Sequence, residues 1–143
     1  MLEIASYVEL ESLMEALRSA FDSLPESQKD KGLLADICSS TGLMWAHRGL
    51  FVFSEPNLRE ANDIRLSVRP LDQLELSWTS VNLGNVTAST DRSDEALSWQ
   101  LSALEARRKW GDETHNPLSP NGLLTQNIGR CYRLLGHYQV AHA

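Results

Sequence analysis

The chain has 143 residues, a formal charge of −6 and a pI near 5.1, with 42% hydrophobic and 22% charged residues. That length supports one ordinary core, and the composition excludes wholesale disorder. The acidic balance excludes recognition of nucleic acid or anionic lipid through bulk charge. The most apolar stretch, Leu43 to Phe53, has 11 residues and contains His47 and Arg48, so it is too short and too polar to span a bilayer. No secretory signal is read at the N-terminus, and Cys38 and Cys131 form neither a disulfide framework nor a C-x-x-C pair. The expectation is a cytoplasmic protein with two free thiols and no membrane or nucleic-acid partner.

In chain order, Leu10, Leu13, Met14, Leu17, Phe21 and Leu24 make one apolar stripe and predict a helix over 3–23. Glu9, Glu11, Glu15 and Arg18 occupy its opposite face. Pro25 and the polar run to Asp30 form a connection. Helices are then predicted over 31–48, 52–67, 71–90, 93–110 and 121–135, with a stub from 138. Gly49, Asp91 and Gly136 suit the left-handed position that closes a helix. No segment alternates with a period of two, so no strand is expected.

A repeat runs through these helices. Gly42, Gly84 and Gly129 are spaced by 42 and 45 residues. Three residues after each stand Trp45, Thr87 and Tyr132, and twelve after stand Ser54, Ala96 and Ala141. Nineteen after the first two stand Ala61 and Ala103. Small residues at such positions let two helix backbones approach while large residues fill the groove between them.

This register resembles the tetratricopeptide repeat, with a small residue where helices A and B cross and an aromatic three residues on. The match covers residues 31 to 143, and it departs from the pattern at Thr87 and Ser54. The period is longer than the 34 residues of the ordinary repeat. It is similar to kinesin-light-chain-type arrays, of the kind common in fungal proteins, as is the run Ala103 to Lys109. The run Ser54 to Ala61 is similar too, with Pro56 placed early in helix B, where a proline near the first turn costs little.

The resemblance implies an all-α, right-handed solenoid of antiparallel helix pairs, about three repeats with incomplete ends. Residues 1–143 then form a single domain. Residues 1–30 are a preceding half-repeat and its connection, 31–70 the first repeat, 71–117 the second and 118–143 a truncated third. Leu134, Leu135, Tyr138 and Val140 would be poorly covered at that end, which suggests a fragment of a longer array or a self-associating unit.

No catalytic or metal constellation stands out. His47, His115, His137 and His142 form no H-E-x-x-H pair, and there is no phosphate-binding glycine loop. The expectation is therefore a non-enzyme without cofactor or metal. Trp45 and Tyr132 take the packing slot and are expected in the core, while Trp99 and Trp110 are expected to pack between repeats. Trp78 falls on the helix-A face that lines the concave groove in this family, as a candidate peptide anchor. Asn82 and Asn127, two residues before a repeat glycine, offer a donor and an acceptor to an extended peptide. Asn85 and Arg130 follow the glycines, and Arg130 with Arg133 would suit an acidic peptide. The family's clamp for a C-terminal carboxylate is disfavoured, because Ser39, Leu43, Leu123 and Asn127 stand where it needs other residues. The resemblance thus implies a protein-interaction scaffold, with assembly through open solenoid ends as the alternative.

Overall fold

The computed structural model describes residues 4–114 together with Gly129, Tyr132 and Arg133. Its helices are α1 (Ile4–Asp22), α2 (Lys31–His47), α3 (Phe51–Ser67), α4 (Gln73–Ser89) and α5 (Ser93–Thr114), with a 3-10 turn at Glu26–Gln28. No strand occurs among the described residues. The predicted boundaries agree within two residues, except that α5 continues through Gly111 to Thr114. The helices expected over 121–135 and from 138 fall almost wholly outside the described residues.

Local chemistry sets the helix ends. The Leu33 and Glu75 amides donate to Asp30 and Asp72, which cap α2 and α4 at 3.0 and 3.1 Å. Gly49 and Asp91 take positive φ after α2 and α4, at 72° and 61°, as their side chains allow.

The chain divides into two compact units, Met1–Arg69 and Pro70–Ala143. In the first, α2 and α3 form an antiparallel pair, and α1 packs on α2. Gly42 lies against α3, where an added Cβ would stand 2.7 Å from Leu58 Cγ and 3.2 Å from the Ser54 carbonyl oxygen. Ser54 is fully buried, and its hydroxyl donates to the Gly42 carbonyl at 2.7 Å. The repeat's alanine slot therefore holds a serine without an orphaned hydroxyl. Arg65 ties the far end of the pair to Asp36 at 3.0 Å.

The second unit repeats this geometry in α4 and α5. A Cβ on Gly84 would stand 2.3 Å from Gln100 Nε2, so Gln100 fills the slot that Leu58 fills in the first unit. Ala96 and Ala103 are fully buried, with Val81 and Leu104 packed at the same seam. Thr87 takes the aromatic's slot, and its buried hydroxyl donates to the Leu83 carbonyl at 2.8 Å. A short β-branched side chain that satisfies itself locally can occupy that position.

Four expectations need correction. Trp45 is half-buried rather than core: its ring meets Phe53 at 5.0 Å and the Arg48 guanidinium at 5.0 Å. Tyr132 is 55% exposed. The α1 stripe is only partly used, since Phe21 is buried while Leu13 and Leu17 remain exposed. Pro56 is the sixth residue of α3, past the first turn where a proline is free of cost. The carbonyl it leaves without a donor belongs to Val52, which is 74% exposed and can be hydrated.

Candidate interaction surface

Trp78, Asn82 and Asn85 stand at i, i+4 and i+7 on α4, so they share one face over about 10 Å. α5 decides how that strip is presented. The Trp78 ring is 43% exposed, and the guanidinium of Arg107 lies 4.5 Å from its centroid. Arg107 itself is 3% exposed, and its Nε donates to Ser77 Oγ at 3.2 Å. Burial lowers the Arg107 pKa from its ordinary value, but a guanidinium keeps its charge in proteins. Asn82 is half-buried and Asn85 exposed. The Asn85 Oδ1 accepts a long bond of 3.5 Å from Gln100 Nε2. The strip is thus an exposed indole with a buried guanidinium against one face, followed by two amides.

The other predicted contacts, Asn127 and Arg130, lie outside the described residues, as do Leu135 and Tyr138 of the expected open end. Sequence reasoning missed Arg107 and Gln100. The signal for Gln100 was present, since it stands sixteen residues after its glycine, as Leu58 does after Gly42.

It also missed a groove in the first unit. An open cavity of about 360 Å³ lies between α1 and α3 over α2. Met14, Ile37, Met44 and Trp45 line its apolar part, and Glu15 and Arg18 contribute charge. Two ion pairs bracket it: Arg48 with Glu11 at 3.2 Å, and Arg18 with Glu60 at 3.1 Å. Read as a helix wheel alone, these charges look like a solvated face; only the approach of α2 and α3 turns them into a rim.

At the Arg18 end, Arg18 Nη1 also donates to Cys38 Sγ at 3.4 Å. Cys38 is free and 1% exposed. Burial, helped by the nearby Glu60 carboxylate, pushes its thiol up from 9.0 to about 11 despite Arg18. The folded state therefore holds this proton more tightly than the unfolded state. The associated stability is present below pH 9 and is lost as pH rises toward 11, at about 1.4 kcal/mol per pH unit. Urea unfolding of wild type and Cys38→Ala across this window checks it: the wild type should lose the extra stability. Parallel profiles would sink the assignment.

Among the described residues no three His, Cys, Asp or Glu side chains converge to hold a metal ion. No described helix is long and apolar enough to cross a membrane. Fold and surface together define an all-α protein of antiparallel helix pairs that presents one aromatic and amide strip and one acidic-rimmed groove. No protein-family model matches the chain, and no curated protein matches it.

Proposed function

We propose that the protein is a protein-interaction scaffold whose helix pairs form a tetratricopeptide-like solenoid in the cytoplasm and bind a partner's peptide or helix along α4. The observation that carries this reading is Trp78, a large indole kept at the surface yet braced by a buried arginine. Preorganised aromatic anchors of this kind carry a large share of binding energy, because little is lost in ordering them. Asn82 and Asn85 supply amide donors and acceptors, and the whole strip from Trp78 to Asn85 spans about 10 Å, the length of about three residues of an extended chain. In the repeat register Asn127 and Arg130 are the counterparts of Asn82 and Asn85, and an arginine at that position would favour an acidic segment of the partner.

The test is affinity capture from the source organism with three baits: wild type, Trp78→Ala, and an Asn82→Ala, Asn85→Ala double variant. Because Asn82 is half-buried and the Trp78 ring covers Arg107, thermal unfolding of each bait accompanies the capture, and only baits that remain folded are compared. A partner retained by wild type and lost by both variants is the expected result. Identical recovery by all three baits would remove the α4 strip from function.

A further inference from the structure

We infer that the groove between α1 and α3 is a socket for a lysine side chain of a partner polypeptide. This surface belongs to the first unit and is independent of the α4 strip.

The groove has the size of a small recognition site, about 360 Å³, and is more apolar than polar. Its floor is made of Met14, Ile37, Met44 and Trp45. Flexible thioethers adapt to an aliphatic chain, which suits the four methylenes of a lysine. Charge then selects the tip. Glu11 is already paired with Arg48, and Arg18, the arginine that lines the groove, with Glu60 and Asp22, so neither cation is left over. Glu15 lines the same groove and has no partner among the described residues. The socket therefore combines an apolar trough with an excess of negative charge that includes Glu15, in a chain whose net charge is −6. Glu15 is exposed, so a lysine gains a modest attraction there, a neutral side chain none, and an acidic one meets like charge. Lysine suits the groove because its long aliphatic stem lies along the apolar residues while its compact ammonium reaches the carboxylate; Trp45 is already stacked by one guanidinium, that of Arg48 at 5.0 Å.

The test uses the whole isotope-labelled chain and NMR titration with three short peptides: acetyl-Leu-Lys-Leu-amide, its norleucine analogue and its glutamate analogue. The lysine peptide should shift the Thr41 and Met44 amides and the Trp45 indole signal saturably. The norleucine analogue and the Glu15→Gln variant should each weaken binding about fivefold, the scale of one exposed ion pair. Glu9→Gln removes the same charge from the same helix without touching the groove, and should leave affinity unchanged. Three results would overturn the proposal: no saturable shifts at millimolar peptide, equal binding of the norleucine peptide, or equal losses for Glu9→Gln and Glu15→Gln. The last would mean attraction by bulk charge alone. None of these results bears on Trp78, so this inference can fail while the α4 reading stands.

Discussion

Gly42→Ala should destabilise the first unit by about 1–3 kcal/mol, the usual cost of forcing extra volume into a packed seam. The new Cβ would stand 2.7 Å from Leu58 Cγ and 2.8 Å from Cδ2, with the Ser54 carbonyl oxygen 3.2 Å away. Leu58 is fully buried, so any shift it makes must displace packed neighbours. Alanine's better helix propensity, about 1 kcal/mol, offsets only part of the clash. Leu58→Ala alone should cost about 2–5 kcal/mol through lost burial and the cavity left behind.

The informative quantity is the double variant. Without Leu58 Cγ and Cδ2, the two closest obstacles to the alanine methyl are gone, and the methyl partly fills the hole. In the Leu58→Ala background, Gly42→Ala should therefore be neutral or stabilising, with a coupling of about 1 kcal/mol or more. Chemical denaturation followed by the NMR signal of Trp45, the first unit's single tryptophan, would measure it locally. Strict additivity of the two substitutions would show that the glycine does not serve the α2–α3 approach.

The second unit yields the opposite sign. Gln100→Leu is expected to stabilise the protein by about 1–2 kcal/mol. Gln100 is 1% exposed, and its Oε1 has no hydrogen-bond donor among the described residues. A buried carbonyl without a partner has surrendered its bonds to water and recovered nothing. The bond its amide nitrogen gives to Asn85 is long, 3.5 Å, and Asn85 is exposed enough to replace it with water. Leucine is already the accepted occupant of the corresponding slot, at Leu58 against Gly42. The variant thus borrows a solution from the neighbouring repeat. Thermal unfolding of wild type and variant decides the point: a lower midpoint for Gln100→Leu would show that the glutamine is satisfied or that leucine cannot pack on Gly84.

Helix positions and the glycine register were legible in the sequence because they arise from short-range rules. Apolar residues every three or four positions mark a helix whatever it later touches, and Gly49 and Asp91 mark its end through backbone sterics. The 42-residue recurrence predicts which small residues meet a helix, and Gly42, Gly84, Ala61 and Ala103 all lie in buried seams. Trp78, Asn82 and Asn85 were likewise legible as neighbours, since helical spacing alone aligns them.

What sits beneath and beside those positions depends on contacts between residues far apart in sequence. Arg107 under Trp78 is set by how α5 returns along α4, and an arginine in a charged run carries no mark that it will be buried. The Gln100 carbonyl oxygen that finds no donor among the described residues follows from the same return. The groove is the clearest case. Glu15 is one more acid on a helical face until α2 supplies Met44 and Trp45 beside it and α3 stands off across the gap. Periodicity states which face of a helix avoids water; only packing in three dimensions decides how completely that face is covered and which charges are left facing an apolar hollow.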